Sequence, residues 1–335
     1  MIDKWEYNFC PAYRHPGQNM RRFMDFWRDN HLPTRNVTME NEKGNFLRVD
    51  GNEAFTFKYY VNNDEWMLRR LIMNPSKCDS FDTFLADAER LGVNLILPLG
   101  YPYRIDYAVD VALPTGDVVR HIDIPRLSVT RRYKKRATGN VTQFIFGSTK
   151  CVAVYDRAQQ LRRKGIEIDG VLTRIERRHL KPNVLPEDLR EMPNGLTDLR
   201  DHAISICRGQ FNPFADVDIK EVILPEVMPP TMEELQANPE NAESLLVAYG
   251  QNCQSVGVIE GMLCELSYGE IRRMVEDESR RFRTQFPRVC RVFDQHVTQG
   301  ESQFDGYAIL REDLQQYFGL DNIRYRRPPA PLPQE

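Results

Sequence analysis

Apolar and polar residues alternate with a period of two in several short runs, and that period predicts strands. Asn45–Val49, Ala54–Val61 and Trp66–Met73 are three such runs; Asp50-Gly51 is a hairpin signal between the first two, and Asn62-Asn63-Asp64 is a turn by composition. A different period follows. Ser80 stands as an N-cap before the stripe Phe81, Phe84, Leu85, Ala88 and Leu91, and Gly92 closes that helix. Asn94–Leu99 is a further apolar run. Strands are then expected near 103–113, 118–124, 141–147 and 150–156, a short helix near 157–164, and a strand near 171–180, with Pro114-Thr-Gly-Asp117 as a hairpin turn.

Residues 1–35 read as a lead-in with one helix, because Met20, Phe23, Met24 and Trp27 recur at helical spacing within Gln18–Asn30. Past residue 212 the texture changes. Pro225–Pro230 reads as a linker, and Glu233–Gln251, Leu266–Phe286 and Arg311–Phe318 as helical. Short neighbouring strands with tight turns predict an α+β fold, an antiparallel sheet core with flanking helices, plus a mainly helical C-terminal region. The expected division is 1–211 (core 94–181), 212–325, and a Pro-rich tail at 326–335.

Composition narrows the class. The chain has 335 residues, 41% of them hydrophobic, enough for a substantial core. Its seven cysteines show no CxxC spacing, which argues against a zinc ribbon and for a reducing compartment. Neither a membrane-length apolar run nor a signal-peptide pattern is present, so a cytoplasmic protein is expected. The overall charge of −3 conceals segregation: 118–182 carries sixteen Lys or Arg against five Asp or Glu, so the remainder is net negative by fourteen. A surplus of that kind points to a polyanion partner, with a merely solvated basic surface as the alternative. Arg280–Arg283 and Arg288–Arg291 are candidates for a second basic surface.

The candidate chemistry lies in the same region. Asp106 and Asp110 fall on one face of a strand, roughly 13 Å apart, too far to share one ion unless the strand bends. The alternative is that one of them is buried in an arginine pair and the other sits at a turn. Glu176 shares a strand face with Arg174 and Arg178, as either a surface ion pair or a ligand for a hard cation. Tyr155 ends an apolar strand and enters a basic helix, where neighbouring cations would lower the phenol's pKa; an ordinary half-buried tyrosine is the alternative. No two-histidine metal motif, P-loop, GxGxxG or serine triad is present, and Gly147-Ser-Thr-Lys150 is too short to specify a phosphate loop.

Three blocks in order carry a resemblance. Arg104-Ile-Asp-Tyr-Ala-Val-Asp110, Phe146-Gly-Ser-Thr-Lys-Cys-Val-Ala-Val-Tyr-Asp-Arg157 and Leu172-Thr-Arg-Ile-Glu-Arg-Arg-His-Leu-Lys181 resemble motifs of the replication initiation factor family. That family comprises rolling-circle plasmid and phage initiators and related relaxases of conjugative elements. Arg157 stands where the family often has lysine, and Thr149-Lys150-Cys151 replaces its usual Arg-x-Ser. The resemblance implies a site-specific DNA nickase with Tyr155 as nucleophile and a Mg²⁺ or Mn²⁺ ion drawn to Asp106, Asp110 and Glu176. DNA, as an origin hairpin or single strand, would be held by Arg131, Arg132, Lys134, Lys135, Arg136, Lys150, Arg157, Arg162, Arg163, Lys164, Arg174, Arg178 and Lys181. A replicative helicase and a second copy of the chain are candidate partners. A catalytically silent DNA-binding initiator, a water-using metal nuclease and an RNA-binding or scaffolding protein are the rivals.

Overall fold

The computed structural model describes residues 1–9, 37–39, 46–62, 65–124, 129–134, 141–148, 150–180, 194–237, 239–276, 280–302 and 304–323. The expected Gln18–Asn30 helix and the Pro-rich tail lie outside them. Strands β1 (Ile2–Asn8), β2 (Val37–Met39), β3 (Phe46–Asp50), β4 (Phe55–Asn62), β5 (Glu65–Met73), β6 (Tyr101–Val111), β8 (Val129–Lys134), β9 (Val141–Phe146), β10 (Lys150–Asp156) and β11 (Thr173–Leu180) form one antiparallel sheet. Its order is β2-β3-β4-β5-β1-β6-β11-β10-β9-β8. A three-stranded sheet joins β13 (Thr298–Ser302), β12 (Asp218–Ile223) and β7 (Ile122–Asp123). The α+β class expected from the alternation is the one observed.

Helices α1 (Phe81–Arg90), α5 (Leu196–Cys207) and α11 (Gly306–Phe318) supply side chains to the core that covers one face of the large sheet. Ser80 caps α1 by accepting a hydrogen bond from the Thr83 amide, and Gly92 follows it in the left-handed region, as the sequence predicts. Phe84 stacks on Phe55 at 5.0 Å, and Phe81 lies 4.4 Å from Phe318, so α11 seals the same core. A second cluster builds the C-terminal region from α7 (Ala242–Leu263), α8 (Tyr268–Glu276) and α10 (Pro287–His296), around Ile259, Ile271 and Phe293. Among the described residues no helix is long and apolar enough to cross a membrane, and no cysteine is paired.

Two expectations are corrected, and one apolar run left unassigned is resolved. Residues 114–121 form neither a hairpin turn nor a strand: helix α3 (Thr115–His121) starts at Pro114, whose carbonyl accepts from Asp117 and Val118. Val118, Val119 and Ile122 are buried at spacings that a helical turn satisfies as well as a strand does. Asn94–Leu99 is a short helical segment, α2 (Val93–Ile96) and a 3₁₀ turn. The lead-in contains β1, which pairs with both β5 and β6 in mid-sheet. Its signal was present: Trp5 and Tyr7 are fully buried and alternate with Lys4 and Glu6 on the other face.

The register of β6 against β11 sorts the central side chains by face. Ile105 lies opposite His179, Tyr107 opposite Arg177 and Val109 opposite Ile175, all toward the helices. Asp106 lies opposite Arg178 and Asp110 opposite Arg174, on the face away from them. On the helical side Tyr107 Oη sits 2.5 Å from His202 Nε2, and burial pushes the imidazole's pKa down to about 4.

Two outcomes follow. Replacing Trp5 with Ala should destabilise the protein by about 3–5 kcal/mol in urea denaturation, as removal of a core aromatic does, whereas the same change at exposed Val171 should stay within about 0.5 kcal/mol. His202 is neutral in the folded chain and charges on unfolding, so the stability it protects is present above pH 6.5 and lost as pH falls toward about 4. A pH series of unfolding midpoints should show that loss, and His202→Gln should flatten it.

Candidate nucleic-acid interface

The outer face of the central strands is charged, and its charges are paired along and across strands. Arg104 donates from Nε to Asp106 Oδ1 at 2.7 Å and from Nη2 to Oδ2 at 2.5 Å. Arg178 donates to Glu176 Oε2 at 2.8 Å, and Arg104 lies 3.7 Å from Glu176 Oε1. Arg174 grips both oxygens of Asp110 at 2.7 Å and reaches Asp3 at 2.7 Å with its remaining nitrogen. Glu6 extends the row, with Arg70 at 3.2 Å and Arg104 at 3.7 Å. Alternation two residues apart on one strand brings Arg104 to Asp106 and Glu176 to Arg178; cross-strand register brings Asp110 to Arg174.

Burial controls the protonation of this row. Asp106 is fully buried, and burial together with the negative charge of Glu176 raises its pKa well above the ordinary carboxylate range. Burial also acts upward on Glu176, but Arg178 and Arg104 prevail and hold it at about 2.

Beside this row lies a cleft of about 410 Å³, lined in part by Tyr155, Glu176 and Arg178. Strand β10 ends at Tyr155 and Asp156; the Asp156 side chain caps the following helix α4 (Arg157–Arg162) by accepting from the Gln159 amide. That cap starts α4 at the cleft mouth, so Arg157, Arg163 and Lys164 line it. Lys4 from β1 and Lys77 from the turn after β5 complete six cations, against three carboxylates from Asp3, Asp156 and Glu176. Lys77, whose Nζ donates to the Glu53 carbonyl at 2.6 Å, has its pKa lowered by partial burial and then by Lys164. Arg157 Nε and Arg178 Nε are buried with no hydrogen-bond partner among the described residues.

The expected residues divide accordingly. Tyr155, Glu176, Arg157, Arg163, Lys164 and Arg178 meet in the cleft; Asp106 lies beneath, against Glu176. Asp110 lines a separate cavity of about 560 Å³ with Asp117, His121 and Glu221, and Arg174 is taken up by Asp110 and Asp3. Arg162 donates to the Ile168 and Gly170 carbonyls, and Lys150 opens β10 opposite His179. Arg131, Arg132 and Lys134 occupy β8 positions opposite Ile145, Phe144 and Val141. Lys135, Arg136 and Lys181 lie outside the described residues. Asp3, Lys4 and Lys77 were not foreseen: Lys4 belonged to an alternation that went unread, and no local pattern marks Lys77.

Two expectations about the chemistry meet a different geometry. The Tyr155 phenol is pushed above its ordinary pKa, by burial first and Glu176 second, while Arg174 and Arg157 act downward without prevailing. The residues present also do not fit the expected metal centre. No group of three or more His, Cys, Asp or Glu side chains is disposed to hold an ion among the described residues. The oxygens of Asp106, Asp110 and Glu176 instead face arginine nitrogens at 2.5–3.7 Å.

No protein-family model and no curated protein matches the chain. Among solved structures it is similar to the rolling circle replication initiator protein from Geobacillus stearothermophilus, with a TM-score of 0.35 and 13% identity, over 66% of this chain and 86% of that one. A likeness that distant assigns neither fold nor activity.

The buried pairs should be the energetically sensitive ones. Asp106→Ala leaves Arg104 buried without its two-toothed partner and should cost about 3–5 kcal/mol in urea denaturation. Glu276→Ala breaks only an exposed helix pair with Arg272 and should cost less than about 1 kcal/mol.

Proposed function

We propose that the cleft holds the phosphodiester backbone of single-stranded DNA, and that the protein nicks that strand through Tyr155 to initiate replication or mobilise an element. The observation that carries this reading is the gathering of six cations around one tyrosine, with two guanidinium N–H groups left unpartnered. In the proposed step, Tyr155 Oη bonds to phosphorus and the bond from phosphorus to one sugar oxygen breaks. The departing oxygen keeps the electron pair and takes up a proton, while the phenol proton passes to water. The phosphodiester becomes a tyrosyl phosphodiester, so a later attack by a sugar hydroxyl rejoins the strand. The cations would offset charge developing on the phosphate.

A second reading rests on the same site. A phenol held protonated by burial, beside carboxylates already bound to arginines, also suits a DNA-binding initiator that does not cut. The whole chain is the form to test, since α11 fills the core of the large sheet. Purified protein should be incubated with labelled single-stranded oligonucleotides from the neighbourhood of its gene, then run on a denaturing gel. The expected result is a protein-linked DNA band that disappears with Tyr155→Phe and strengthens as pH rises through 7–9, because a raised phenol pKa leaves less phenolate at neutral pH. Binding with no linked band at any pH would overturn the nicking step in favour of the second reading; cleavage with no linked band would point to water as the nucleophile.

A further inference from the structure

We infer that the cleft engages its phosphate without a divalent cation, because Arg104 and Arg178 already occupy the carboxylates of Asp106 and Glu176 that would hold one. The inference rests on the cleft being a phosphodiester site, and it concerns what neutralises the charge there. Each of the three carboxylates in a position to serve as a hard-ion ligand has its own arginine. Asp106 has Arg104 two residues earlier on the same strand, Glu176 has Arg178 two residues later, and Asp110 has Arg174 across the strand pair.

The pairing leaves little for an ion to bind. Asp106 receives two N–H groups, at 2.7 and 2.5 Å, and Asp110 receives two at 2.7 Å. Both oxygens of Glu176 face guanidinium nitrogens, Oε2 at 2.8 Å and Oε1 at 3.7 Å. Mg²⁺ and Mn²⁺ bind carboxylate oxygens directly, so an ion would have to displace Arg104. That guanidinium is also 3.7 Å from Glu6 and is itself largely buried, so it has nowhere to go without leaving three acids behind. The charge balance agrees. Glu6, Asp106 and Glu176 are matched by Lys4, Arg70, Arg104 and Arg178, and a divalent ion would add positive charge to a buried row that already has its cations.

The same arrangement has a use. Glu176 holds Arg178 in the cleft lining by Nη2, leaving its buried Nε unpartnered, and the buried Nε of Arg157, in the same lining, is unpartnered too. The guanidinium groups of Arg178 and Arg157 supply the positive charge that a metal would bring to a phosphate, with no ion to load. Glu176 is then the anchor for Arg178, and Arg178 meets the substrate.

The test has two arms. In the first, Mn²⁺ is titrated into the intact protein without DNA and free Mn²⁺ is read by electron paramagnetic resonance. No stoichiometric loss of signal is expected; a stoichiometric loss that Glu176→Gln or Asp106→Asn abolishes would overturn the inference. In the second, anisotropy of a fluorescein-labelled single-stranded oligonucleotide is followed in EDTA and in Mn²⁺ at matched ionic strength. Equal affinity is expected in both, with Arg178→Gln weakening it about tenfold in both, as loss of a charged hydrogen bond does. Affinity that collapses in EDTA would overturn the inference and leave the DNA reading standing. No binding in either buffer would overturn the DNA reading, and the resonance arm would still decide the metal question.

Discussion

Arginine–carboxylate pairing on one face of a mid-sheet strand pair is the constraint on which the site depends. Asp106 and Glu176 are buried side by side, a placement that is costly for two acids unless each is compensated. Arg104 and Arg178 supply that compensation, and they can do so only in the observed register of β6 and β11. A slip of one residue would send both acids into the helix-packed core and bring Tyr107 and Ile175 out of it. Polar pairing on one face and apolar packing on the other therefore specify the same register twice.

That register also sets the cleft. Once β11 is fixed, β10 follows with Tyr155 opposite Arg174, and the Asp156 cap turns the chain into α4 at the sheet's margin. Strand β1 brings Asp3 and Lys4 from the start of the chain, and the turn after β5 brings Lys77. Cations from four separate stretches then converge on one tyrosine. Their mutual repulsion is tolerated because Asp3, Asp156 and Glu176 are interleaved with them, yet the excess remains positive and open to solvent. A polyanion backbone is what such a surface attracts, whichever chemistry follows.

The electrostatics divide the proposed nicking step into what is ready and what is not. Arg178, proposed as a phosphate donor, is fixed in place by Glu176. The phenol is in the less reactive of its two states, because burial outweighs the arginines around it. Proximity of cations in sequence, the basis for expecting an activated tyrosine, says nothing about desolvation, which depends on strands far away in the chain.

Much of the fold was legible in local pattern. The two-residue alternation marked β3–β6 and β9–β11, the Ser80 and Gly92 signals bounded α1, and the split of Arg174, Glu176 and Arg178 from Thr173, Ile175 and Arg177 held in the folded sheet. Residues 114–121 misled because Val118, Val119 and Ile122 suit either period, and β1 was overlooked although Trp5 and Tyr7 alternate as a strand should. Identity and spacing alone thus determined the α+β class, the faces of the central strands and the carriers of charge, since these depend on backbone periods of a few residues. Which arginine meets which acid, whether Tyr155 is activated, and that Lys4 and Lys77 join the site were decided only by tertiary structure. Those outcomes turn on register, burial and contacts between residues up to 171 positions apart, which no local period encodes.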